Sequence, residues 1–170
     1  ITDHGNMYGV LEFHNTAKKK GIKPILGCEV YVAENRLAKT RSGYHLILLA
    51  KNKKGYQNLA KLSSLGFKDE HFYYTPRIDK ELLRQYREGL IVSSACLGGE
   101  IPRMILSQGK DAARKPIEEF LEIFGEDIYL ELMDHGIEDQ KIVNKVLIEL
   151  AHEYNIKLIA TNDTHFVYKD

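Results

Sequence analysis

Along the chain, short apolar, β-branched runs alternate with longer stretches whose apolar positions recur at helical spacing. Residues 8–20 place Val10, Leu11, His14 and Ala17 on one helical face, and Gly21 follows as a stop. Strands are predicted over 24–32 and 44–50, then a helix over 55–65 that carries Leu59, Leu62 and Ser63 inward. Residues 71–76 are aromatic and extended, and Asp79 can N-cap a short helix running to Tyr86. A strand over 89–95, helices over 100–106 and 111–124, a strand over 128–133, a long helix over 140–154 and a strand over 157–161 complete the pattern. Five or six strand-then-helix units with no low-complexity linker predict parallel strands, in a barrel or a doubly wound sheet. Both architectures form their sites at the carboxyl ends of the strands. The opening Ile1-Thr2-Asp3-His4 reads as the tail of a strand, so the chain is expected to be a piece of something longer that lacks its first strand.

Composition narrows the function classes. With 170 residues, 44% of them hydrophobic, the chain can bury one core and fits a single domain. Lys plus Arg and Asp plus Glu both number 24, so no global field draws the protein to a polyanion, and any nucleic-acid contact is local. The apolar runs at 46–50 and 146–151 are far shorter than the ~20 residues of a membrane span, and no secretory segment opens the chain. Two cysteines, Cys28 and Cys96, are too few for a disulfide framework and fit a reducing cytoplasm. Neither a Gly-x-Gly-x-x-Gly loop nor a Walker loop occurs, which removes dinucleotide and P-loop chemistry. The Arg- and Lys-rich loop over 34–43 is the expected mobile element and basic contact.

Two short strings carry the chemistry. Thr2-Asp3-His4-Gly5-Asn6 and Ala160-Thr161-Asn162-Asp163-Thr164-His165 each set a carboxylate and an imidazole at the end of a strand-like stretch. If the strands are parallel, Glu29 and Cys96 join them on the same rim. Carboxylate, neutral imidazole and thiolate suit zinc, manganese or iron, ions that make a hydroxide nucleophile near neutral pH. Each residue alone has a plainer role. Asp3 and Asp163 could be helix N-caps, Glu29 could pair with the 18–20 lysine run, and Cys96 could be a small buried apolar residue. Co-location at four strand ends favours ligation. His14, His71, His135 and His152 are assigned surface or packing roles, and the lysines at 18–20 a solvated helix end. Phe72, Tyr73 and Tyr74 could stack on nucleobases, although an aromatic strand in a core or interface is commoner.

Five segments then carry a family resemblance: 2–9, 21–29, 45–52, 76–83 and 160–165. In order, over nearly the whole chain, they resemble the PHP (polymerase and histidinol phosphatase) domain, in the version at the N-terminus of bacterial replicative DNA polymerase III alpha subunits. The resemblance implies a distorted (β/α)7 TIM-like barrel with up to three divalent metal ions, zinc or manganese, at its carboxyl rim. It assigns His4, Glu29, His45, Cys96, Asp163 and His165 as metal ligands, with His4, Glu29, Asp163 and His165 central to catalysis and Asp3 orienting His4. It places the remaining ligands in a His-x-His segment and a following acidic residue that this chain lacks. It further implies metal-dependent 3′–5′ exonuclease or phosphoesterase activity within a DNA-synthesising parent in the cytoplasm. The implied partners are the primer 3′ end, later polymerase domains in cis and other polymerase III subunits; no membrane is involved. Arg77 is a guess for gripping phosphate. The alternatives are a noncatalytic, metal-stabilised scaffold that supports the polymerase or docks a separate proofreading subunit, and a stand-alone phosphatase. One conflict stands: a five-residue parallel strand opening at His45 puts that residue on the far rim from the other ligands.

Overall fold

The computed structural model describes residues 1–41, 43–166 and 168. Among them six strands and six α-helices alternate: α1 (Val10–Lys19), β1 (Gly27–Val32), β2 (Tyr44–Ala50), α2 (Lys53–Gly66), β3 (Arg77–Ile78), α3 (Lys80–Tyr86), β4 (Leu90–Ser93), α4 (Glu100–Gln108), α5 (Arg114–Phe124), β5 (Ile128–Leu132), α6 (Glu138–Tyr154) and β6 (Lys157–Ala160). Most boundaries fall within a few residues of the sequence pattern. The predicted helix over 111–124 divides into a 3₁₀ turn at Lys110–Ala113 and then α5. The aromatic stretch before β3 contributes only an isolated bridge between Tyr73 and Thr75. In α1, Val10 and Ala17 are buried as expected, but Leu11 is exposed.

Local chemistry sets the helix ends. Asn52 Oδ1 accepts from the Gly55 amide at 2.9 Å, and Asp79 Oδ1 accepts from the Leu82 amide at 3.1 Å, as N-caps do. The start of α2 lies directly on the turn before β4. A Cβ added at Gly55 would fall 1.8 Å from the carbonyl oxygen of Gly89, so only glycine permits this approach.

The strands form one sheet in the order β3-β1-β2-β4-β5-β6. Parallel pairing holds for β1 with β3, β4 with β5 and β5 with β6. The all-parallel expectation fails at β2, which runs antiparallel to both β1 and β4. The cause lies in the connection at 33–43, whose described residues contain no helix: a parallel return needs a crossover, whereas an antiparallel partner needs only a loop. Closure into a barrel is not seen among the described strands, whose sheet ends at β3 and β6. Residues 1–5 run alongside β1 through Gly27 N–H to Ile1 O, Glu29 N–H to Asp3 O and Gly5 N–H to Glu29 O, at 2.8–3.0 Å. This matches the strand tail read from the sequence.

The two faces of the sheet differ in chemistry. Leu46, Leu48, Val92 and Leu130 belong to a buried cluster with Leu59 and Leu62 of α2, Ile117 and Phe120 of α5, and Leu147 and Leu150 of α6. Alternate residues on the same strands, Glu29, Ile47, Leu49, Ser93, Glu131 and Ile159, line a cavity of about 440 Å³. Helix packing on one face thus leaves the opposite face of the sheet free to carry polar groups.

Candidate metal centre

The cavity gathers residues from both ends of the chain. Asp3, His4, Glu29, Cys96, Asp163 and His165 all line it. At its edge, ligand atoms of His4 and Glu29 lie within 4.8 Å of those of His45, which lines an adjoining recess. Nδ1 of His45 is 2.6 Å from Glu29 Oε1, and Nδ1 of His4 is 3.8 Å from the same oxygen. Cys96 Sγ lies 3.6 Å from His45 Nδ1, and His165 Nε2 lies 3.4 Å from His4 Nε2. Five of the six assigned ligands are therefore linked by close contacts, and Asp163 joins them on the cavity wall.

His45 reaches this rim because β2 is antiparallel. The first residue of β2 pairs beside the end of β1, with His45 opposite Tyr31. The conflict between strand periodicity and ligation disappears once the strand direction is known. The ring is then held by its surroundings. The His45 amide donates to Gly98 O at 3.0 Å, and a Cβ added at Gly98 would come within 2.9 Å of His45 Nδ1.

Electrostatics also favour a cation here. Contacts with Cys96 and then Glu29 push the His45 imidazole up to about 9, so a proton sits where these donors converge. Glu29 is 4% exposed, and its Oε1 has no aligned hydrogen-bond donor among the described residues despite the nearby ring nitrogen. The protonated His45 ring, 2.6 Å away, compensates the buried Glu29 carboxylate by its charge, and a divalent ion can take that place. The donor set of imidazole, carboxylate and thiol fits zinc, and its oxygen and nitrogen members also fit manganese.

The segment carrying the last two ligands is fixed in place. His165 Nδ1 donates to Asp163 O at 2.7 Å, which leaves Nε2 as the nitrogen facing His4. Asp163 has φ +44, a left-handed conformation that a short polar side chain tolerates. His135, expected to have a surface or packing role, contacts Asn162 O through Nε2 at 3.1 Å while Gln140 holds its Nδ1 at 2.9 Å. Glu131 was not among the sequence candidates. It lies buried on the cavity floor, accepting from Ser93 Oγ through one oxygen and from Thr161 Oγ1 through the other at 2.7 Å. Its sequence signal is a lone carboxylate in the apolar run of β5. Because hydroxyls occupy both oxygens, Glu131 anchors the end of β6 and is not a ready ligand.

Two expectations are corrected. Arg77 cannot grip phosphate: it is 1% exposed and donates to the carbonyls of His71, Thr40 and Arg36 at 3.1, 2.8 and 3.3 Å. The basic loop is tied down at Arg36 and Lys39, while Arg41 rests on the Tyr74 ring. Arg36 pairs with Asp79 and Glu81, and Lys39 donates to the carbonyls of Asp69, Glu70 and Phe72. Ser42, within the same loop, lies outside the described residues.

Residues 1–135 match the sequence pattern of the PHP domain family. The chain belongs to that family. This PHP domain is 49% identical over 176 residues to DNA polymerase III subunit alpha of Borreliella burgdorferi, a match covering 100% of the chain and 15% of that protein. It is 48% identical over 177 residues to the Thermus aquaticus protein of the same name, covering 100% of the chain and 14% of the relative. The Helicobacter pylori protein is 46% identical over 179 residues, covering 98% of the chain and 15% of the relative. The PHP domain thus spans about 15% of the length of these relatives. Among its described residues, no helix is long and apolar enough to cross a membrane.

Proposed function

We propose that this PHP domain is a metal-dependent phosphoesterase that hydrolyses phosphodiesters at the 3′ end of DNA, within a parent chain that is a cytoplasmic DNA polymerase III alpha subunit. The supporting observation is the convergence of ligand atoms of His4, Glu29 and His45 to within 4.8 Å around the buried Glu29 carboxylate. The whole-chain likeness to polymerase alpha subunits supports DNA as substrate, with other polymerase subunits and later domains as partners. We read the sheet, with its polar face carrying the site at strand ends, as part of the (β/α)7 barrel that the family resemblance implies.

Glu29, Asp163, Cys96 and the three histidines would hold the divalent ions. When bound, such ions supply acidified water as nucleophile and positive charge for the phosphate oxygens. The residues themselves do the positioning. Glu29 is fixed on β1 by the hydrogen bond its backbone N–H donates to Asp3 O, and His165 presents Nε2 because its Nδ1 donates to Asp163 O. Asp3 lines the same cavity, and its Oδ2 lies beside Gly9, where an added Cβ would meet it at 3.3 Å.

The test uses the full-length parent and a 3′-mispaired primer, with manganese or zinc and with chelator. Metal-dependent removal of the terminal nucleotide that Asp163→Asn abolishes, while primer extension persists, is the expected result. Cleavage indifferent to Asp163→Asn would overturn the catalytic reading. Metal binding without cleavage would instead favour a metal-stabilised scaffold.

A further inference from the structure

A second recess, of about 400 Å³, adjoins the metal centre and is lined in part by Tyr31, Arg41, His45, Tyr73, Tyr74 and Thr75. The two sites share a wall. Tyr31 stacks on His4 with ring centroids 6.0 Å apart and meets His45 edge-on at 5.3 Å. Anything bound in the recess therefore meets His45 directly and lies one ring from His4.

The recess has the chemistry of a stacking platform. Tyr74 is 61% exposed and holds φ +63, a left-handed conformation that is strained for an aromatic residue and tends to be kept where function requires it. Tyr73 meets its ring edge-on at 4.7 Å. The Arg41 guanidinium lies 3.7 Å above the Tyr74 centroid, contacting a ring and not a carboxylate among the described residues. Its basic neighbours differ, since Arg36, Lys39 and Arg77 are engaged by carboxylates or backbone carbonyls. A cation resting on an exposed ring can give up that face to a nucleobase and turn to a phosphate, as single-strand binding sites do.

We propose that this recess is a nucleotide subsite of the metal centre: one unpaired base stacks on Tyr74, Arg41 contacts its phosphate, and the adjoining phosphodiester enters the His4–Glu29–His45 cluster. The proposal rests on the phosphodiesterase reading above and specifies how substrate is held. Its volume suits a single nucleotide and not a base pair, so the subsite selects frayed or mispaired 3′ ends.

The test uses the full-length parent and single-stranded DNA carrying 5-iododeoxyuridine at the last or the penultimate position. Photocrosslinked peptides are located by mass spectrometry, which separates this site from the polymerase site. A crosslink within the peptide holding Tyr73 and Tyr74 is expected. Tyr74→Gly should remove it and raise KM for single-stranded substrate about tenfold with kcat little changed. Glycine accepts φ +63 without strain, so this variant keeps the fold, and Tyr74→Phe, which retains the ring, should restore the crosslink. Arg41→Gln should raise KM in the same direction and weaken its dependence on salt. A crosslink here without any metal-dependent cleavage would support the subsite while refuting the hydrolytic reading. Cleavage with no crosslink at this peptide, and KM unmoved in Tyr74→Gly, would overturn the subsite and leave hydrolysis standing.

Discussion

Replacing Arg77 with methionine separates a structural arginine from a phosphate-binding one. The methionine keeps most of the buried stem but deletes the donors to His71 O, Thr40 O and Arg36 O. The His71 carbonyl is buried, and leaving it unsatisfied costs about 1–3 kcal/mol, while the part-buried bonds to Thr40 O and Arg36 O add less. Part of this is recovered. Burial lowers the Arg77 pKa, and among the described residues no carboxylate pairs with it, so removing the cation also removes a desolvation cost. A net loss of about 2 kcal/mol follows, equivalent to roughly 30-fold more frequent opening where the Arg36–Thr40 loop meets the His71–Arg77 segment. Hydrogen exchange followed by mass spectrometry reads this directly, with the loss of protection centred on peptides covering 36–41 and 71–79. Unchanged protection there, combined with weaker binding of an oligonucleotide, would refute the structural assignment and restore Arg77 as a phosphate contact.

Other consequences are equally open to measurement. Cys28 is fully buried, and desolvation pushes its thiol up to about 12, so it should resist alkylation in the native protein. Cys96 lines the cavity and should react, with zinc protecting it; equal labelling of both cysteines would contradict the site. Gly55→Ala should destabilise by about 3 kcal/mol, seen as a lower urea midpoint, because the new methyl meets the Gly89 backbone and not a movable side chain. Zinc should raise the melting temperature of the wild type, and Glu29→Gln should abolish most of that shift, since the buried carboxylate at the centre of the cluster is lost. A shift retained in full would place the metal elsewhere.

How far the sequence discloses this molecule depends on what each signal encodes. Helix and strand positions were legible because periodicity is a local property, and the Asp79 cap and the exact limits of β2 were read correctly. The direction of β2 was not, because a period-two pattern is the same whichever way a strand runs. The discriminating sign was nonetheless present: the 33–43 connection contains no helical spacing, which a parallel crossover would require. That one omission moved His45 to the wrong rim. Arg77 was misread for a different reason. An arginine in a Pro-Arg-Ile-Asp string is compatible with surface or interior, and only the carbonyls brought to it by a distant loop decide between them. His4 and His165, 161 residues apart, meet only through the fold, yet their places after predicted strand ends already suggested one shared site before the family resemblance assigned both as ligands. Glu131 was missed because its partners, Ser93 and Thr161, belong to other strands.

The central claim is that six donor groups from five separate segments of the chain share divalent cations. A crystal of the zinc-loaded protein, with anomalous data collected on both sides of the zinc absorption edge, tests it most directly. The account predicts anomalous peaks inside the cavity bounded by His4, Glu29, His45, Cys96, Asp163 and His165, with the Cys96 sulfur about 2.3 Å from one of them. No peak in that cavity, with the histidine rings turned away from Glu29, would contradict it.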